Sequence, residues 1–238
     1  MILRLLPLVV GLLPLVTVFT CYWIAIHYAG LPSCNPFLDG CTSISATGRY
    51  PPANFLFRAA MLPQSILLAA YWLLCLAWFR TLRRSLKHDA KSGAAIAWFG
   101  VIGALCLIPY VTFLGTQEPF YEFMRRYGVY LYFLLNVIAQ VILAVRILPV
   151  ARKLRMQRLL RLTQIQLTLS WIPFALGALN LILKATLDDS DPAENRIEWI
   201  FALLMQSYFV ISYFSWRETG FMASYSVALN GYTNDRKR

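Results

Sequence analysis

Charge is what this 238-residue chain has least of. Asp, Glu, Lys and Arg together make up 14% of it, against about 25% in an ordinary soluble domain. With 59% hydrophobic residues and a mean hydropathy of +0.57, it is neither a soluble globular enzyme nor a disordered chain. Histidine is scarcer still, with only His27 and His88. A three-histidine metal site is therefore impossible within one chain, and no metal or other cofactor is expected. The five cysteines are too few and too scattered for a zinc spacing or a disulfide-stapled secreted module. Glycine-rich phosphate loops, linkers, low-complexity runs and internal repeats are all missing. No strongly acidic residue stands in the middle of an apolar run, which argues against a proton-relay pump.

What the chain does have is apolar blocks of about 20 residues, the length needed to cross about 30 Å of hydrocarbon. Six qualify, at roughly 5–27, 55–79, 93–115, 127–148, 162–185 and 197–216. The expected fold is all-α: one bundle of six transmembrane helices, residues 1–238 forming a single membrane domain. The first block is too long for a signal-peptide core and reads as a retained helix. Pro7 and Pro14 are tolerable there because neighbouring helices can satisfy the backbone groups that a proline frees. Gly100 and Gly103, mid-span, read as close helix contacts.

The net charge of +11 is divided unevenly between the two sides. The N-terminus, the second and fourth connections and the tail carry sixteen Lys and Arg against Asp89, Glu218 and Asp235, a balance of +13. The other side holds six bases and eight acids, among them Asp188, Asp189, Asp191 and Glu194, a balance of −2. By the positive-inside rule both termini face the cytosol. The same excess suits anionic inner-leaflet lipid, with Arg152, Lys153, Arg155 and Arg158 as the candidate head-group contact. Nucleic acid is not an expected partner, since neither interleaved aromatics nor a binding fold accompanies the charge.

The first outer loop, residues 29–54, is the largest non-membrane segment and is dense in turn formers. Its apolar residues suggest that it is ordered and folds onto the mouth of the bundle. Cys34 and Cys41 lie in it. A disulfide closing that small ring is one reading, and two unpaired thiols the other. Cys21, Cys75 and Cys106 read as small buried hydrophobes.

The intramembrane polar residues are mild: Gln64, Asn136, Gln140, Asn180 and Gln206, with Asn136 and Gln140, four apart, sharing a helix face. They read either as helix–helix glue or as a polar patch for a lipid head group or small ligand. Arg58, about one turn into the second span, is expected to snorkel or to pair with Glu118 or Glu122, or else to hold an anion. Tyr127, Tyr130, Tyr132, Trp199, Tyr208, Tyr213 and Trp216 lie toward span ends and are assigned mostly to interface belts. No catalytic set stands out. A Ser/His/Asp arrangement would need His27, Asp39 and Ser43 or Ser45, and nothing in the spacing favours it.

One stretch carries a resemblance. Asn35-Pro36-Phe37-Leu38, Ile44-Ser45-Ala46-Thr47-Gly48 and Pro51-Pro52, with Phe55 and Phe57 leading into the second span, resemble the damage-regulated autophagy modulator (DRAM) family. The wider group includes proteins of glycosylphosphatidylinositol-anchor remodelling. Tyr213-Phe214-Ser215-Trp216-Arg217-Glu218 is similar to the family's aromatic-rich last helix. Ala46 stands where many relatives carry an acid, and Gln206 or a neighbour where some carry a glutamate. The resemblance implies six spans, cytosolic termini and a role in lipid organisation, membrane-protein regulation or autophagy-related trafficking, with no established catalytic residues. The expectation is a non-catalytic multi-pass protein, of plasma, inner or endolysosomal membrane depending on host, that binds lipid or a membrane-protein partner. The alternatives are a lipid-remodelling enzyme of acyl-transfer type, using Ser45 or Thr47, and a transporter with a polar path through Asn136, Gln140, Asn180 and Gln206.

Overall fold

The computed structural model describes residues 2–87, 93–186 and 190–221. His88 and, from the charge count, Asp89, Lys91, Asp188, Asp189, Asp235, Arg236, Lys237 and Arg238 lie outside the described residues, as does the side chain of Lys184. After a 3-10 turn at Ile2–Leu5 come α1 (Leu6–Tyr28), the one-turn α2 (Ile44–Thr47), α3 (Ala53–Ser85), α4 (Ala94–Thr112), α5 (Pro119–Lys153), α6 (Gln157–Thr186) and α7 (Asp191–Glu218). There is no strand among the described residues. Among the described residues six helices are long and apolar enough to cross a membrane.

Several helices outrun their apolar blocks. α3 continues to Ser85 through Arg80, Arg83 and Arg84, while α5 begins at Pro119 and ends at Lys153. Hydropathy marks where hydrocarbon begins, but an i→i−4 ladder needs no hydrocarbon and runs on through the head-group layer. At the start of α5 it is reinforced by Glu122, whose carboxylate meets Arg126 at 2.7 Å and Arg125 at 3.5 Å.

The long helices form a ring in which each packs on its chain neighbour and α7 closes back on α1. Both ends of the described chain therefore meet on one side, where Arg4 Nε donates to the Phe221 carbonyl at 3.0 Å. Lipid tails are as apolar as leucine, so small residues and interhelical hydrogen bonds must hold such helices together. At Gly100 a side chain would enter the Trp72 indole, and at Gly103 it would come within 2.7 Å of the Asn136 amide. Both glycines are the close contacts expected of them. On the basic side Tyr71, Trp72, Phe209 and Trp216 pack ring to ring with centroids 5.1–6.0 Å apart. A polar chain runs through this cluster. Tyr71 Oη and Ser212 Oγ lie 2.8 Å apart, and Gln166 Nε2 donates to Ser212 Oγ at 2.9 Å.

The interface-belt assignment fails for four of its seven aromatics. Tyr132, Trp199, Tyr208 and Trp216 are all buried, whereas Tyr127 and Tyr130 are exposed. Nearness to a span end locates a ring along the helix but not around it, and these four point inward. α6 is the least enclosed helix: 22% of its membrane window is buried inside the protein, against 39–44% for the other five.

Candidate functional site

The loop between α1 and α3 is an ordered cap on the end of the bundle opposite the chain termini. Cys34 and Cys41 are joined by a disulfide. Between them Asn35 shapes the turn, its Oδ1 accepting from the Phe37 amide at 3.1 Å and its own amide donating to Asp39 Oδ2 at 2.9 Å. That turn presents Phe37 to Trp199 of α7, ring centroids 5.5 Å apart. The Tyr22 hydroxyl of α1 sits beside the bridge, donating to the Pro32 carbonyl at 2.9 Å and accepting from the Cys34 amide at 3.1 Å.

α7 grips the other flank of the loop. Trp199 Nε1 donates to the Thr42 carbonyl at 2.9 Å, and Asn195 Nδ2 to that of Gly40 at 2.8 Å. Gly40 has φ +65°, and any side chain there would collide with the Pro192 carbonyl, so only glycine permits this approach. Pro51 and Pro52, joined by a cis peptide bond, lead into α3, whose Phe57 ring lies where a side chain on Gly48 would be.

The hydroxyls of the loop are largely committed. Ser43 Oγ caps α2 by accepting from the Ala46 amide at 3.1 Å. Ser45 Oγ lies 3.2 Å from Ser43 Oγ, and the buried Thr47 donates to the Ile44 carbonyl at 2.7 Å. His27, the base that a Ser/His/Asp set would need, donates through Nδ1 to the Trp23 carbonyl at 2.7 Å. Glu198 of α7 is one of the eight acids on the outer side and carries no further signal in the sequence. Its carboxylate lies against the backbone of Ser45 and Ile44, with Arg49 near enough to act on it.

Most of the intramembrane polar residues have structural partners. The pairing of Arg58 with Glu118 or Glu122 does not form. Its guanidinium donates instead to the carbonyls of Thr112 (3.1 Å) and Leu114 (2.9 Å) at the end of α4, where a helix leaves carbonyls unsatisfied and its dipole favours a cation. Gln64 is bound to α1: its Nε2 donates to the Val10 carbonyl at 2.8 Å. Pro14 lies four residues after Val10 inside the helix and has no N–H to give that carbonyl. Asn136 accepts from Trp72 Nε1 at 2.7 Å and donates to the Tyr132 carbonyl at 2.7 Å, which satisfies both ends of its amide. Gln140 Nε2 donates to the Met205 carbonyl at 3.1 Å.

Gln140 and Gln206 thus meet where α5 faces α7, while Asn136 turns to Trp72 of α3. Gln64 is tied to α1, and Asn180 stands apart on the exposed half of α6. A continuous path through all of them is not what the helices build.

Beneath the loop lies a narrow cleft, open to the surroundings. Its walls come from α1, α3, α4, α5 and α7, and Phe37 and Ile44 of the loop form its roof. The lining is overwhelmingly apolar. The lining side chains that carry polar atoms are Tyr110, Tyr132, Trp199 and Gln206, all buried, and the Trp199 Nε1 is taken up by the Thr42 carbonyl. Gln206 Nε2 donates to Tyr132 Oη at 3.4 Å, while Gln206 Oε1 and Tyr110 Oη have no partner. A buried polar atom without a partner costs about 1–3 kcal/mol. Two of them on one apolar cleft are what a hydrogen-bonding ligand would satisfy.

Of the residues that frame this cleft, only Gln206 is a ligand candidate from the sequence; Phe37, Ile44 and Phe57 belong to the loop pattern, and Tyr132 and Trp199 read as interface aromatics. Tyr110 carried no signal, because a tyrosine near a span end looks like any interface tyrosine. At the basic end, Arg152, Arg155 and Arg158 are exposed around the turn between α5 and α6, Arg158 lying 3.6 Å from Glu218.

The fold and its capped cleft define a multi-pass integral membrane protein of six apolar helices. The chain belongs to the Frag1/DRAM/Sfk1/Cwh43P family, matching the N-terminal domain of that description over residues 2–219. The resemblance carried by the first outer loop therefore holds. No curated protein and no solved structure matches the chain.

Proposed function

We propose that this protein is a non-catalytic lipid-binding membrane protein whose ligand occupies the cleft beneath the disulfide-closed loop. Its role is then in membrane-lipid organisation or trafficking, as the family resemblance implies. The observation that carries the reading is the pair of unpartnered atoms, Tyr110 Oη and Gln206 Oε1, on an otherwise apolar wall. Candidate ligand contacts at Arg58, Gln64 and Asn136 are set aside, because each of these side chains already serves the backbone or a neighbouring ring.

The basic end has a second, weaker role in the proposal: it rests on the anionic cytosolic leaflet through Arg152, Arg155 and Arg158, with Lys153 beside them. That orientation follows the charge count.

The test is native mass spectrometry of the full chain released from mild detergent, with identification of whatever lipid stays bound. Retention of one lipid class by the wild type, lost in Tyr110→Phe and Gln206→Leu but kept in Asn180→Leu, is the expected result. Bulk lipid only, unchanged by any of the three, would sink the cleft as a lipid site and direct attention to a protein partner at the loop.

A further inference from the structure

We infer that the cleft is filled from the side: a lipid of the leaflet on the loop side passes one hydrocarbon chain between α1 and α7 and brings an uncharged hydrogen-bonding group to Tyr110 and Gln206. This rests on the reading above and deepens it by naming the route and the chemistry of the ligand.

The seam between α1 and α7 is tight at one level and clasped at another. At Gly11 a side chain would come within 2.9 Å of Val210 and 3.0 Å of the Gln206 carbonyl, so the two helices are nearly in backbone contact there. Eleven positions away on each of these antiparallel helices, Tyr22 and Trp199 meet edge to face with centroids 6.0 Å apart, and Phe19 packs on the same indole at 5.5 Å. At 1.5 Å per residue these two ties are about 16 Å apart, roughly half of a hydrocarbon core of about 30 Å. The stretch between them therefore spans one leaflet.

Within that stretch three side chains face both ways. Leu15, Phe19 and Leu203 line the cleft, yet Phe19 is 43% and Leu203 40% exposed and Leu15 is half-buried. In a bilayer such exposure is contact with acyl chains, so the cleft wall and the lipid-facing surface are continuous along this seam.

Other approaches are obstructed. Above, Trp199 and Asn195 bind the loop backbone, and Phe37 and Ile44 roof the cleft. Behind, a side chain on Gly128 of α5 would meet the Tyr110 amide of α4 at 2.9 Å. Phe133 of α5 packs edge to face on Phe201 of α7, centroids 5.1 Å apart.

The ligand's polar group follows from the lining. No Lys, Arg, His, Asp or Glu lines the cleft; Glu198, Arg125 and Arg49 act on Tyr110 from outside it and with opposing signs, so a phosphate or ammonium placed there would be a buried charge without a counter-charge in direct contact. A hydroxyl, ester or amide instead accepts from the Tyr110 hydroxyl, and a hydroxyl or amide also donates to Gln206 Oε1.

The experiment uses the full chain in phosphatidylcholine vesicles with a monoacylglycerol bearing a photoreactive diazirine in its chain, adducts being mapped by mass spectrometry. Adducts on residues 14–19 and 199–206 are expected. Leu203→Trp, which narrows the seam from an exposed position, should cut labelling of Gln206 and its neighbours about fivefold or more, the scale of one lost contact. Unlabelled monoacylglycerol should compete, and lysophosphatidic acid should not. Label confined to 31–44 of the loop, or to outward residues such as Trp98 and Ile102 of α4, would overturn the side route. In that case lipid retained in native mass spectrometry would still support the cleft itself. Equal competition by lysophosphatidic acid would overturn the uncharged group. Absence of any retained lipid and of any specific adduct would overturn both readings together.

Discussion

Gln64→Leu should destabilise the bundle through a carbonyl on another helix. Gln64 is fully buried, and its amide donates at 2.8 Å to Val10, whose carbonyl Pro14 cannot serve. Interhelical hydrogen bonds in membranes average about 0.6 kcal/mol, because the separated helices find other partners. Val10 has no such recourse, since its own helix lacks the donor. The loss is therefore expected nearer about 1–1.5 kcal/mol, short of the upper range for an unsatisfied group because leucine also removes the unpartnered Gln64 Oε1. The decisive variant is Pro14→Ala, which restores an N–H to Val10. In that background Gln64→Leu should cost close to nothing, giving a coupling of about 1 kcal/mol across the double-mutant cycle. Reversible unfolding in mixed micelles titrated with dodecyl sulfate, followed by circular dichroism, measures all four corners. If Gln64→Leu costs the same with proline and with alanine at position 14, to within about 0.3 kcal/mol, the side chain is not replacing the missing amide and the reasoning is wrong.

Arg58→Ala should cost about 1–2 kcal/mol in the same assay, with Arg58→Lys recovering much of it, because both bonds leave from the single nitrogen Nη2 and an ammonium has donors enough for the Thr112 and Leu114 carbonyls. Glu118→Gln and Glu122→Gln should stay within about 0.5 kcal/mol of wild type, and a loss like that of Arg58→Ala in either would restore the ion-pair reading. Replacing Cys34 and Cys41 together by serine releases a ring worth about 2.5 kcal/mol by loop entropy. Hydrogen exchange should then rise across residues 31–44 while α3 stays protected. Unchanged exchange would mean that Tyr22 and Trp199 hold the loop without the bridge. Neutralising Arg152, Arg155 and Arg158 to glutamine should weaken association with anionic over neutral lipid by about 1 kcal/mol per residue, diminishing with salt. A preference that survives all three changes would place the anionic contact elsewhere.

Some of this protein was legible along the chain. Apolar blocks marked the six helices because crossing hydrocarbon demands length and composition, both of which are one-dimensional. The face shared by Asn136 and Gln140 followed from a period of 3.6, and Gly100 and Gly103 marked close approaches because only the absence of a side chain admits a neighbour. The Asn35-Pro36-Phe37 turn, being local, could also be read. The ends of α3 and α5 could not, since hydropathy is blind to a helix that continues through the head groups.

The rotation of each helix was not legible, and the site depends on it. In water an apolar stripe shows which face is buried. In a bilayer the outward face is as apolar as the inward one, and the pattern carries no such mark. Tyr132 and Tyr130 look alike in sequence, yet one is buried by the cleft and the other faces lipid. The inward choice is made by contacts between residues far apart in the chain: Gln64 with Val10, Trp72 with Asn136, Gly11 under Val210. Composition by itself decided that this chain lives in a membrane and how often it crosses. Only packing decided which polar atoms were left without partners, and so where a ligand could be held.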